Sequence, residues 1–131
     1  MDGKRNGKGK KYSHTNGELI FEGEYLNGHR LKGKDYIKGM LEYEGEYLFN
    51  KKWNGKGFDK YGNIIYELIN GTGTVKEYNF YNFNLEFEGE LLNGERSGKG
   101  KEYDYSGKLI YEGEYLKGEK ITKKFIECLI V

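Results

Sequence analysis

Apolar and polar residues alternate along this chain in short runs, and each run ends at a turn signal. Phe21-Glu22-Gly23-Glu24-Tyr25-Leu26 places Phe21, Gly23 and Tyr25 on one face of an extended strand, with Glu22 and Glu24 on the other. Asn27-Gly28 follows, the dipeptide best able to take positive φ at both centres of a hairpin turn. Asn-Gly recurs at Asn6-Gly7, Asn16-Gly17, Asn54-Gly55, Asn70-Gly71 and Asn93-Gly94, each read as a further turn. Turns so close together leave room for short strands and none for a useful helix, which 21 glycines would oppose in any case.

The alternating unit repeats. Its opening aromatic falls at Phe21, Tyr43, Tyr66, Phe87 and Tyr111, at steps of 22, 23, 21 and 24 residues. Residues 1–20 match the second half of a unit, full units start at 21, 43, 66 and 87, and a closing half-unit starts at 111. The unit from Tyr66 is degenerate: it lacks Glu-Gly-Glu and crowds Tyr78, Phe80, Tyr81 and Phe83 before Phe87. Rings of both parities there predict burial on both sides or a bulge, and a bend in the array. The expected fold is all-β: one elongated, twisted, single-layer antiparallel sheet of successive β-hairpins with about ten short strands. Residues 121–131, with Phe125, Ile126, Leu129 and Ile130, break the pattern and read as a cap or as a pairing segment for a second copy.

The pattern Tyr-x-Gly-x-aromatic, then Gly-x-Gly, then an aromatic resembles the MORN (membrane occupation and recognition nexus) repeat. Tyr43-Glu44-Gly45-Glu46-Tyr47 with Gly55-Lys56-Gly57 carries the match, as does Phe87-Glu88-Gly89-Glu90 with Gly94 and Gly98-Lys99-Gly100-Lys101-Glu102-Tyr103. Tyr25, Tyr47, Leu91 and Tyr115 stand where the family has Trp, and the family's His before Gly-x-Gly is absent. The resemblance implies hairpins laid side by side and a role as scaffold, linker or partner-binding module. Lipid binding is also attributed to such repeats.

Composition narrows the classes. The chain has 131 residues, 22 basic and 21 acidic, for a net charge of +1; this argues against a general nucleic-acid binder. Thirteen tyrosines and seven phenylalanines supply the buried area that a charged, otherwise polar chain would lack. Cys128 stands alone, which forbids an internal disulfide; a free buried thiol is expected, with intermolecular pairing the other reading. A polar N-terminus without an apolar run behind it points to the cytoplasm.

No enzyme is expected. Glu22/Glu24 could be a general acid and base, but the same pair returns at Glu44/Glu46, Glu88/Glu90 and Glu112/Glu114. A dyad needs one unlike pair in a pocket. Four similar pairs read as a charged row opposed by lysines such as Lys99 and Lys101. His14 and His29 lie in different units without metal-ligand spacing, so neither metal nor cofactor is expected. Gly7-Lys8-Gly9-Lys10 lacks the Lys-Ser/Thr ending and helix start of a phosphate cradle.

A single-layer sheet must leave one face wet, give it to a partner, or seal it by ring stacking. The expectation is a non-enzymatic scaffold that binds a protein partner through an aromatic and glycine face formed by Phe21, Tyr25, Tyr43, Tyr47, Trp53, Phe87, Tyr111 and Tyr115. Trp53 reads either as packing on the neighbouring unit or as a partner anchor. Self-association through the ends is part of this reading. The first alternative is a phospholipid or membrane-surface module using Lys4, Arg5, Lys8, Lys10 and Lys11; the second is an antitoxin or immunity-type binding protein.

Overall fold

The computed structural model describes residues 4–79 and 81–121. The sequence readings on Phe80, Phe125, Ile126, Cys128, Leu129 and Ile130 lie outside the described residues. Eleven antiparallel strands follow one another: β1 (Gly7–Tyr12), β2 (Leu19–Leu26), β3 (His29–Ile37), β4 (Met40–Leu48), β5 (Lys51–Phe58), β6 (Ile64–Leu68), β7 (Gly73–Tyr78), β8 (Leu85–Leu92), β9 (Glu95–Tyr103), β10 (Leu109–Leu116) and β11 (Glu119–Lys120). No helix occurs among the described residues.

Consecutive strands pair with each other except β6 with β7, and the array does not close into a barrel. The single sheet expected from the sequence is two sheets, one of β1 to β6 and one of β7 to β11. Between them only Ile69 and Thr72 bridge, across the Asn70-Gly71 turn. The break falls in the degenerate unit, where the sequence predicted a bend.

The two-residue turns follow the hairpin rule. Asn27-Gly28, Lys38-Gly39, Asn70-Gly71, Asn93-Gly94 and Lys117-Gly118 take positive φ at both positions. So does Phe49-Asn50, with φ of 49° and 66° and no glycine. Asn54-Gly55 and Asn6-Gly7 are not turns: Asn54 and Gly55 lie inside β5, and Gly7 opens β1. Their asparagines serve a second purpose. Asn54 Oδ1 accepts the Asn70 N–H at 2.8 Å, and Asn6 Oδ1 accepts the Asn27 N–H at 2.9 Å. Each of these side chains clasps the turn of the next unit.

Bulges set where side chains point. One extra residue stands just before each opening aromatic: Ile20, Glu42, Ile65, Glu86 and Ile110. Three more irregularities lie on the strands that leave the Asn27-Gly28, Phe49-Asn50 and Asn93-Gly94 turns: Leu31, Trp53 and, in β9, the stretch between Arg96 and Gly100. In β9 the alternation from Gly100 through Glu102 to Tyr103 stays regular, and the bulge is Ile110 on its partner. Tyr103 therefore falls on the side opposite Gly100.

Register lines up the glycines. Gly9, Gly23, Gly33, Gly45 and Gly55 sit opposite one another across five strands, and Gly89, Gly100 and Gly113 do so in the second sheet. A Cβ at Gly89 would stand 2.7 Å from the Gly100 Cα and 2.9 Å from Phe87 Cζ, so only glycine lets the rings lie flat on the strands. In the degenerate unit Leu68 and Val75 occupy this row, and both are buried.

Candidate functional site

The two faces of the array have different chemistry. On the ring side Phe21, Tyr43 and Phe87 are fully buried, and Tyr25, Tyr47 and Tyr115 nearly so, in one cluster with Tyr66, Leu68 and Val75. Tyr111 and Trp53 are half-buried. The rings pack edge to face: Phe21 meets Tyr25 at 5.4 Å and Tyr47 at 5.7 Å, and Tyr115 meets Phe87 and Tyr111 at 5.4 Å each.

A cation closes each stack. Arg5 lies over Tyr25, Arg30 over Phe21, Lys52 over Tyr43, Arg96 over Phe87 and Lys120 over Tyr111, at 4.0–5.2 Å from the ring centres. Four of these follow a turn by two residues: Asn27-Gly28-His29-Arg30, Phe49-Asn50-Lys51-Lys52, Asn93-Gly94-Glu95-Arg96 and Lys117-Gly118-Glu119-Lys120. The sequence carried this signal, and the reading by alternation passed over it. In the degenerate unit the corresponding residue is Gly73, which has no cation to offer.

Carboxylates hold the cations. Asp35 pairs with Arg30 at 3.0 Å and accepts the Tyr47 hydroxyl. Glu42, re-aimed by its bulge, pairs with Lys52 at 2.7 Å, and Lys52 also donates to the Tyr66 hydroxyl at 3.4 Å. Glu102 accepts the Tyr115 hydroxyl at 3.1 Å and pairs with Lys120 at 2.9 Å. Burial pushes the Glu42 carboxyl above its ordinary value, with Lys52 opposing. Hydrogen bonds from Lys120 and Tyr115, against some burial, hold Glu102 below its ordinary value. Burial drives the Tyr43 and Tyr115 phenols up to about 12, and Tyr47 and Tyr66 are raised for the same leading reason. The rings picked out as a partner-binding face thus form a core with a polar roof.

The other side is a furrow. Its floor is the backbone of the glycine row, and its walls are two rows of alternating charge: Lys8, Glu24, Lys32, Glu46 and Lys10, Glu22, Lys34, Glu44. It encloses 880 Å³. A second furrow of 440 Å³ runs over Gly100 and Gly113 between Glu88, Lys101, Glu112 and Lys99, Glu114. Cross-strand ion pairs line both, among them Lys10–Glu22 at 3.3 Å, Lys34–Glu44 at 3.7 Å and Lys101–Glu112 at 3.7 Å. Exposed pairs of this kind contribute about 0–1 kcal/mol each, so their effect is on register more than stability.

The basic residues at the start of the chain divide between the two sides, Lys8 and Lys10 at the furrow and Arg5 and Lys11 toward the rings. Lys8 and Lys10 stand in the furrow walls opposite Glu24 and Glu22, Arg5 covers the Tyr25 ring, and Lys11 is opposite Phe21. Lys4 is exposed. Trp53 lies against Gly71 and Gly94 of the following turns. Among the exposed aromatics that the sequence reading passed over, Phe49, at 75% exposure, is held at positive φ beside His29. Among the described residues no group of three His, Cys, Asp or Glu is arranged to hold a metal, and no helix is long and apolar enough to cross a membrane.

The geometry defines a class, an open all-β array of hairpins with a sealed ring side and a charged, glycine-floored side. In comparisons with known proteins, no family model, no curated protein and no solved structure matches the chain.

Proposed function

We propose that the chain is a non-enzymatic, protein-binding scaffold whose glycine-floored furrow takes an extended segment of a partner. The observation that carries this reading is the furrow itself. It is long, open, crosses four strands, and repeats one residue pattern instead of converging on a single polar cluster. Such a surface fits a linear chain better than a small molecule, which needs a concave pocket with a few convergent groups. The alternating walls favour a segment with charges of both signs, and the bare backbone floor admits close approach. The resemblance to MORN repeats supports the same reading.

The test is an affinity capture with identified partners from cells that express the protein. Glu44→Arg with Glu46→Arg reverses the charge of both furrow walls at their β4 end, and Lys60→Ala alters an exposed loop elsewhere. A discrete partner kept by the parent chain and by Lys60→Ala, and lost by the double variant, is the expected result. A partner set unchanged by the double variant overturns the furrow as the binding surface.

A further inference from the structure

The strand β1 is an edge, and its surroundings specify what should lie beside it. In the first sheet Lys32 stands between Glu24 and Glu46, and Lys34 between Glu22 and Glu44. In the second sheet Lys101 stands between Glu88 and Glu112. On β1, Lys8 faces Glu24 and Lys10 faces Glu22 on one side only. The glycine row stops at Gly9.

The ring side is incomplete at the same place. Tyr47 meets both Phe21 and Tyr43, and Tyr115 meets both Phe87 and Tyr111, whereas among the described residues Tyr25 meets the ring of Phe21 alone. The Tyr25 hydroxyl is buried and, among the described residues, is the buried side-chain polar atom without a hydrogen-bond partner. Its counterparts on Tyr47 and Tyr115 donate to Asp35 and Glu102. The matching residue of β1, two beyond the glycine, is Lys11, which cannot accept. A cavity of 750 Å³ opens there, lined by Arg5, Lys10, Lys11, His14, Tyr25 and Arg30 among others, with no carboxylate in its walls. An unpaired strand edge, half-answered lysines, a ring lacking its second neighbour and an orphaned hydroxyl in a basic cavity coincide.

We infer that the outer edge of β1 binds, by strand addition, an extended acidic segment of a partner protein with the pattern Glu-aromatic-Glu-Gly-Glu. The inference rests on the protein-binding reading above but uses the sheet edge instead of the furrow. The register copies β3 with β4: the glycine opposite Gly9, the flanking glutamates opposite Lys10 and Lys8, and the aromatic opposite Lys11. The aromatic then packs beside Tyr25, as Phe21 does beside Tyr47. The glutamate before it enters the basic cavity near Lys11 and Tyr25. Of the chain's own Glu-Gly-Glu strands, β2, β4 and β8 are paired on both sides, whereas β10 meets β11 only at Tyr115 and Leu116; a second copy offering β10 would bring Ile110 where the pattern has its first glutamate, and so no acceptor for the Tyr25 hydroxyl. The chain's own residues 122–131 carry one carboxylate, Glu127, and so lack the pattern.

The probe is a labelled peptide, Glu-Tyr-Glu-Gly-Glu-Tyr-Leu, the sequence of residues 42–48, titrated with the full chain and read by fluorescence anisotropy. Saturable binding is expected, weakened about tenfold when the three glutamates become lysines. A peptide N-methylated at the residues that donate to β1 should lose about tenfold as well, because the edge supplies main-chain hydrogen bonds. Lys8→Glu with Lys10→Glu should reverse the charge preference; where that variant does not fold, the peptide comparisons on the parent chain decide. No binding up to about 1 mM, the ceiling of a useful affinity, overturns the inference, and so does equal binding of the N-methylated peptide. A dimer of the chain alone that the peptide cannot displace would assign the edge to a second copy and overturn it too. A furrow partner still captured while the peptide fails would leave the furrow reading intact and reject only the edge.

Discussion

At the scale of single residues, glycine sets the spacing on which everything else is laid. Gly89 has the Gly100 backbone and the Phe87 ring within 3 Å of where a Cβ would stand, whereas Gly9 at the edge has only the Arg5 stem and the Tyr25 ring at 3.3 Å. Gly89→Ala should therefore cost about 1–3 kcal/mol, in the range of overpacked sites. Gly9→Ala should cost distinctly less, because a flexible arginine can give way. Chemical denaturation of the two variants checks the difference. Phe49 offers the opposite case. A bulky side chain in the left-handed region costs about 1–2 kcal/mol, and its ring is mostly in water. Phe49→Asn keeps the turn and should raise the unfolding midpoint. Two carboxylates give opposite pH responses. Glu102 is held below its usual 4.5, so its stabilisation is present above that value and lost as pH falls through the lowered one. Glu42 is raised, so as pH rises from 4.5 through the raised value the folded state loses stability there. Glu102→Gln should flatten the acid limb of a stability profile; an unchanged acid limb would contradict the Glu102–Lys120–Tyr115 contact.

At the scale of the element, each hairpin except the degenerate one carries its own lid. The cation two residues past the turn folds back over the rings, and the next turn is clasped by a donor or acceptor one unit away. Gly71 N–H donates to Trp53 O at 2.7 Å, Gly94 N–H to Gly71 O at 2.9 Å, and Gly118 N–H to Arg96 O at 2.9 Å. These contacts join successive units through the backbone. Arg96 covers Phe87 and Tyr115 and pairs with Glu77 at 3.6 Å. Arg96→Met keeps the apolar stem and removes the charge, and should cost about 0.5–2 kcal/mol. Lys60 over the exposed Tyr61 is the matched control, and Lys60→Met should leave the midpoint nearly unchanged. Much of this element was legible beforehand. Period-two alternation and glycine spacing gave the hairpins, and the repeated Glu-x-Glu gave the charged rows. Asn54-Gly55 misled because one dipeptide serves two tasks, turn and clasp, and the strand it sits in is fixed by its partner's register. The lids were not legible by alternation because a bulge after the turn, at Leu31 and Trp53, shifts the parity.

At the scale of the whole molecule, a one-layer array has to hide its aromatics without a second layer. Rings over glycine, cations over rings and carboxylates on cations replace the second layer that a sandwich would provide. The degenerate unit lacks the glycines, the second ring and the lid at once. Leu68 and Val75 fill it, and the sheet divides there. That division could not be read from the sequence, because the loss of ladder hydrogen bonds depends on how β6 and β7 diverge after one bridge. The most direct test of the sealed ring side is nitration of the folded chain's tyrosines, mapped by mass spectrometry. Tyr61 and Tyr105, both well exposed, should react first, and Tyr43, Tyr47, Tyr66 and Tyr115 should stay unmodified until the chain unfolds. Reaction of Tyr47 and Tyr115 at the rate of Tyr61 and Tyr105 would show an open aromatic face and contradict the account.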